Sequence, residues 1–167
     1  GSDDRYAAWR DAQPAHDGGH TAAWNDGLLQ MYTSGTTGRP KGAVLSHRSI
    51  LGLRADMTPA TMPPWYRWTG DDVSLIAMPV AHVSGTGWAI WSLQHGAMGV
   101  ITREFDPHAV FELMVHHRIN KVIMVPTALQ IAVRHPNARS TDFSFIQYIA
   151  YGAAPMPYEV VRKACDV

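Results

Sequence analysis

Residues Tyr32–Gly42 read Tyr-Thr-Ser-Gly-Thr-Thr-Gly-Arg-Pro-Lys-Gly. Hydroxyl residues Thr33, Ser34, Thr36 and Thr37 are interleaved with Gly35, Gly38 and Gly42. Glycine lets a backbone turn sharply and come close to a ligand. Lys41 adds a flexible point charge with three donors. Such a loop presents amide, hydroxyl and ammonium donors to one concave spot, which suits a polyphosphate. A polar turn between two strands uses the same residue types, but it does not need so many donors together with a lysine. The loop differs from the Gly-x-x-x-x-Gly-Lys-Ser/Thr phosphate loop. Counting from Gly35, Pro40 stands at the second glycine, and Gly42 follows Lys41 where a magnesium-binding hydroxyl would be. Pro40 also opposes a helix starting inside the loop. Leu28–Tyr32 reads as a strand entering the loop, and Ala43-Val44-Leu45 as a short strand leaving it.

Downstream, apolar runs alternate with helical patterns. Strands are expected at Val73–Met78, Ala97–Ile101, Lys121–Val125 and Phe145–Ala150. Helices are expected over His47–Met57 with Ser46 as N-cap, Ser84–His95, Pro107–Arg118 behind an Asp106 cap, Thr127–His135 with Thr127 as cap, and Pro157–Cys165. Strands spaced by helices predict an α/β fold, a largely parallel sheet with helices on both faces. Such sheets bind ligands beyond the carboxyl ends of their strands. Three segments follow strands: Tyr32–Gly42, Pro79–Gly85 and Gly152–Pro155. They are expected to face one cleft. Thr58–Gly70, with Pro59, Pro63 and Pro64, reads as a loop on the surface or against a partner. Asp3–Asp26 reads as linker with a short helix near Tyr6 and Trp9, Trp9 and Trp24 packing on what lies beneath.

At 167 residues the chain can bury one core, and 46% hydrophobic residues is ordinary for a globular protein. Formal net charge is zero with lysine and arginine scattered, so neither nucleic acid nor an anionic membrane surface is indicated. The single Cys165 excludes an internal disulfide and fits a reducing, cytoplasmic setting; its expected role is packing. Gly1-Ser2 reads as a tag scar, and no signal peptide is seen. Val73–Thr102 contains no Asp, Glu, Lys or Arg, but Pro79, Gly85, Gly87 and Gly96 interrupt it. A buried strand–helix–strand unit explains it better than a membrane span. His116-His117 has no second ligand pair at metal-binding spacing, so no protein-only metal site is predicted. The Gly-x-Ser-x-Gly elbow is absent.

The unbroken Tyr32–Gly42 motif resembles the signature of the adenylate-forming (AMP-binding) superfamily, whose members include acyl-CoA synthetases, luciferases and peptide-synthetase adenylation domains. Met-Pro-Val-Ala-His-Val-Ser-Gly, Met78–Gly85, is similar to the family's next motif. Tyr-Gly-Ala-Ala-Pro-Met, Tyr151–Met156, is similar to its Gly-Ala-Ala-Pro segment. The resemblance runs from about Leu28 onward in motif order. It implies residues 28–167 are part of the large N-terminal AMP-binding domain of an acid–CoA ligase, closest to fatty-acyl-CoA synthetases, with residues 1–27 as tag scar and linker.

The resemblance implies that Thr33, Ser34, Gly35, Thr36, Thr37, Gly38 and Lys41 grip the ATP phosphates, with Lys41 holding the pyrophosphate as it leaves. It implies that Gly152, Ala153, Ala154 and Pro155 run along the adenine and the acyl pocket, where small residues let a flat base approach. It puts His82 beside the carboxylate pocket, able to gate it. Taken alone, His82 is a helix-start residue satisfied locally, and Gly152–Pro155 a small-residue turn. The resemblance also implies Mg2+ on a glutamate outside this chain, CoA as co-substrate and a carboxylic acid substrate, with fatty acids leading. No acid between Val73 and Thr102 awaits a substrate ammonium, which speaks against an α-amino acid. Met78, Val83, Trp88, Trp91 and Met156 could wall an apolar pocket or simply pack the core. By itself the chain is expected to bind ATP at most and to turn nothing over, and to self-associate through surfaces the rest of a ligase would cover. The alternatives are an amino-acid or aryl-acid adenylating fragment, a stand-alone nucleotide-binding or phosphotransfer module using Asp71 and Asp72 for magnesium, and an interaction fragment.

Overall fold

The computed structural model describes residues 4–35, 38–52, 60–63 and 66–167. After a helix α1 (Asp4–Asp11) come strands β1 (Gly27–Thr33) and β2 (Lys41–Ser46) and a short helix α2 (His47–Leu51). Then β3 (Val73–Ile76), α3 (Val83–Gln94), β4 (Met98–Ile101), α4 (Pro107–His117), β5 (Lys121–Met124), α5 (Pro126–Arg134), β6 (Tyr148–Tyr151) and α6 (Tyr158–Cys165) follow. The later four strands form one parallel sheet in the order β4-β3-β5-β6. The predicted α/β class with a parallel sheet is borne out.

The strands around the glycine-rich loop do not join that sheet. β1 and β2 pair with each other, antiparallel, with Tyr32 opposite Gly42 and Thr33 opposite Lys41. The reason is connection length. Residues 34–40 are too few for a crossover, which takes about a dozen residues or more, whereas a short turn joins antiparallel neighbours. The loop is therefore the tip of a hairpin, not the carboxyl end of a parallel strand.

Period-two alternation along β3 sorts its side chains between two cores. Leu75 belongs to the larger one, with Val110, Phe111 and Met114 of α4, Leu129 and Ala132 of α5, and Val160 of α6. Ile76 belongs to the other, with Trp88 and Trp91 of α3 and with Met62 and Trp68. So α3 covers one face and α4, α5 and α6 the other, and β3, covered on both faces, is apolar but for the buried Ser74. Met62 and Trp68 are 6% and 7% exposed. This corrects, for these two residues, the reading of Thr58–Gly70 as a loop on the surface or against a partner: they pack with Trp88 and Trp91 of α3 and Ile76 of the sheet, while residues 58, 59, 64 and 65 lie outside the described residues. Trp68 packs edge-on to Trp88 with ring centres 5.0 Å apart and donates from Nε1 to Tyr148 Oη at 3.3 Å.

Several element ends behave as their residues dictate. Ser46 accepts the N–H of Ser49 at 3.2 Å and caps α2; the remainder of the predicted helix, residues 53–57, lies outside the described residues. Asp106 accepts the N–H of His108 at 3.1 Å, with Pro107 next. α4 closes on Arg118 in the left-handed region, φ 50°, with Ile119 N–H returning to the Met114 carbonyl at 3.0 Å. α5 starts earlier than expected: Val125 is the N-cap, not Thr127, because Pro126 is preset for the first helical position. Trp9 and Trp24 are 61% and 51% exposed and bury little of themselves. Cys165 is also exposed, against its expected packing role; α6 turns Val160 inward instead.

Candidate active site

The glycine-rich loop is held by its own backbone. Gly35 and Gly38 have φ of +66° and +78°, a region that side chains rarely adopt. A Cβ on Gly35 would stand 2.3 Å from the Arg39 carbonyl oxygen, so the chain folds back directly over Gly35. The Lys41 stem lies beside the same point, its Cγ 3.8 Å from that position. Thr33 and Lys41 are direct cross-strand partners and share a face of the hairpin. Thr33, Ser34 and Lys41 are exposed, so their side-chain donors are available; Gly38 is exposed too, but its N–H donates to the Gly35 carbonyl at 3.5 Å. Thr36 and Thr37 lie outside the described residues. Below the loop, a Cβ on Gly42 would meet the Tyr32 ring at 3.1 Å, and Tyr32 Oη accepts from Gln30 Nε2 at 2.7 Å.

His82 lies beyond the carboxyl end of β3. It is the N-cap of α3, φ −115° and ψ 154°, and its ring makes no capping hydrogen bond. Its side chain is exposed. Gly152–Pro155 leaves the carboxyl end of β6, also exposed. The positive φ in that segment falls on Ala153, at 69°, not on Gly152, and nothing lies within 4 Å of a Cβ built on Gly152. β5 separates β3 from β6; with strands spaced about 4.8 Å, the two segments leave the same sheet edge about 10 Å apart. The parallel sheet thus brings His82 and Gly152–Pro155 to one edge. The hairpin loop belongs to the other sheet.

Strand order adds a feature that sequence reading missed. From β3 the chain moves outward to β4, and from β5 it moves outward to β6. The connections part between β3 and β5, the place where open α/β sheets form a crevice. A cavity of about 550 Å³ lies beside it, lined by Met78, Pro79 and Val80 after β3, Thr102 and Arg103 after β4, and Thr127 after β5. The Thr102 hydroxyl is buried there and has no hydrogen-bond partner among the described residues. Thr102 and Arg103 carry no motif; strand order, which single-sequence patterning does not give, sets β4 beside β3 and so brings them to this cavity. A larger cavity of about 650 Å³, bounded by α5, α6 and β6, touches none of the predicted site residues. Of the suggested pocket-wall residues, Trp88, Trp91 and Met78 are buried in the cores, Met156 packs against the larger core, and Val83 is 61% exposed.

Asp72 is committed elsewhere. Its carboxylate accepts from Thr69 N–H at 2.7 Å and from Asn120 Nδ2 at 2.8 Å, at the amino edge of the sheet. Lys121 Nζ lies 3.8 Å away. Among the described residues no three His, Cys, Asp or Glu side chains converge on a point where a metal ion could sit.

The sequence matches the family described as AMP-binding enzyme over residues 3–167. The chain belongs to the AMP-binding enzyme family. Within it, a fatty acid–[acyl-carrier-protein] ligase, ScoC, of Streptomyces coeruleorubidus is 30% identical over 97% of this chain and 31% of its own length. A feruloyl-CoA synthase of an Amycolatopsis species is 33% identical over 85% of this chain and 28% of its own. Among solved structures, the inhibitor-bound N-terminal domain of FACL13 from Mycobacterium tuberculosis superposes with a TM-score of 0.82 at 28% identity, covering 98% of this chain and 40% of that one. ATP-bound MatB from Rhodopseudomonas palustris superposes with a TM-score of 0.71 at 28% identity, covering 87% and 28%. The chain spans under a third of the length of these two curated AMP-binding relatives. No described helix is long and apolar enough to cross a membrane.

Proposed function

We propose that this chain is the phosphate- and acid-binding part of an ATP-dependent acid–CoA ligase. The observation that carries the reading is the hairpin tip. It joins an exposed lysine, exposed hydroxyls and a backbone wound through two left-handed glycines within one family motif. In the proposed reaction, a carboxylate oxygen of the acid attacks the α-phosphorus of ATP. The bond from that phosphorus to the bridging oxygen breaks, and pyrophosphate leaves with the electron pair. A CoA thiol, giving up its proton, then attacks the acyl carbon and AMP departs. Lys41, Thr33 and Ser34 hold the β- and γ-phosphates in line, and Lys41 offsets charge growing on the leaving group. His82 donates to the acid's carboxylate or swings away from it.

Magnesium, when bound with ATP, would offset phosphate charge, and no step here runs through it. The reading of a free-standing phosphotransfer module that uses Asp71 and Asp72 is weaker, since Asp72 is already hydrogen-bonded to Thr69 and Asn120 at the amino edge of the sheet.

The preferred acid is a fatty acid. The charge-free run Val73–Thr102 offers a substrate ammonium no partner, and one relative carries a fatty-acid ligase name. An aryl acid is the second reading, supported by the feruloyl-CoA synthase relative. The isolated chain is expected to lack turnover. Acid-dependent ATP–pyrophosphate exchange by the full-length polypeptide, run against fatty, aryl and amino acids, tests the proposal. Exchange with fatty acids is expected; no exchange with any carboxylic acid overturns it.

A further inference from the structure

The Pro79–Thr86 turn carries one side-chain bond beyond the backbone bonds of an ordinary helix start. His82 N–H donates to the Pro79 carbonyl at 3.0 Å. The His82 carbonyl accepts twice, from Gly85 N–H at 3.1 Å and from Thr86 N–H at 3.0 Å. The Thr86 hydroxyl reaches back across the turn and donates to the Val80 carbonyl. Thr86 therefore grips the chain at His82 and also two residues before it. Gly85 lets the first turn of α3 sit this close: a Cβ there would stand 2.4 Å from both the Met78 and the Pro79 carbonyl oxygens. The His82 ring, by contrast, is exposed and makes no capping bond. Its backbone is hydrogen-bonded on both sides, while its ring is exposed.

We propose that Thr86 is a positioning residue that locks the backbone of His82, so that the imidazole addresses the acid by side-chain rotation alone. This rests on the reading of His82 as the group beside the acid's carboxylate. Threonine suits the task because its hydroxyl spans the turn to the Val80 carbonyl; any residue but proline would supply the N–H at the helix start. Valine keeps the shape and loses the hydroxyl bond; serine keeps the bond.

The test uses the full-length polypeptide and acid-dependent pyrophosphate exchange, with KM for acid and for ATP measured separately. Thr86→Val is expected to raise KM for the acid by up to about tenfold, the range of one hydrogen bond, leaving KM for ATP unchanged. Thr86→Ser is expected to restore it. In a His82→Ala background, Thr86→Val is expected to change KM for the acid by less than about twofold, since coupled residues are non-additive. An equal effect with and without His82 overturns the proposal, as does failure of serine to rescue a folded valine variant. If His82→Ala alone leaves KM for the acid unchanged, the reading of His82 fails and the proposal fails with it. The single variant shows that outcome before any double variant is made.

Discussion

Lys121 Nζ stands 3.8 Å from Asp72 Oδ1, at the amino edge of the parallel sheet, the end opposite His82. The lysine is fully buried. It donates to Gln147 Oε1 at 2.6 Å and to the Arg67 carbonyl at 2.9 Å, with the rings of Tyr148 and Trp68 beside it. These bonds tie β5 to the segment that feeds β3 and to the residue before β6.

Burial holds the Lys121 ammonium below its usual value near 10.5, with Asp72 pulling the other way. In the window between the lowered value and 10.5, the unfolded chain binds more protons than the folded one. Stability therefore rises with pH across that window. Urea unfolding between pH 8 and 10.5 is expected to show a steeper rise for the native chain than for Lys121→Met. Equal slopes contradict this origin.

Ser74 of β3 and Ser92 of α3 are fully buried, their hydroxyls 2.9 Å apart, and Ser92 also reaches the Trp88 carbonyl at 2.9 Å. Ser92→Ala strands the Ser74 hydroxyl and is expected to cost about 1–3 kcal/mol. The double variant Ser74→Ala with Ser92→Ala is expected to cost less than the sum of the single changes. Chemical denaturation of the four proteins reads this directly, and additive losses would count against a shared bond.

Ala153 carries a left-handed φ of 69° that glycine adopts freely. Ala153→Gly is expected to stabilise by up to about 1 kcal/mol. Gly152 has open space around its Cβ position, so Gly152→Ala is expected to change stability by under about 0.5 kcal/mol. If a nucleotide base passes there, Gly152→Ala nonetheless weakens ATP binding by the full-length polypeptide. Unchanged affinity would remove Gly152 from the site.

The fold was legible because β3, β4 and β5 are short apolar runs separated by helices with readable ends, as Asp106-Pro107 shows. Strand order was not legible. Nothing local in Val73–Ile76 says that β4 and β5 will flank it, so the crevice near Thr102 and Arg103 stayed hidden. The separation of the hairpin from the parallel sheet was missed although the short 34–40 connection implied it. Trp68 and Met62 misled because their Pro-rich surroundings read as surface. The motifs themselves were plain in the sequence, since Gly35 and Gly85 sit where a side chain would strike a carbonyl oxygen.

Equilibrium titration of ATP into the full-length polypeptide and its Lys41→Ala variant tests the central claim most directly. The exposed ammonium at the hairpin tip is expected to contribute one charge-assisted contact, so affinity should fall by about ten- to a hundredfold with thermal stability unchanged. Equal affinity in the two proteins would contradict the assignment of Tyr32–Gly42 as the phosphate-binding loop.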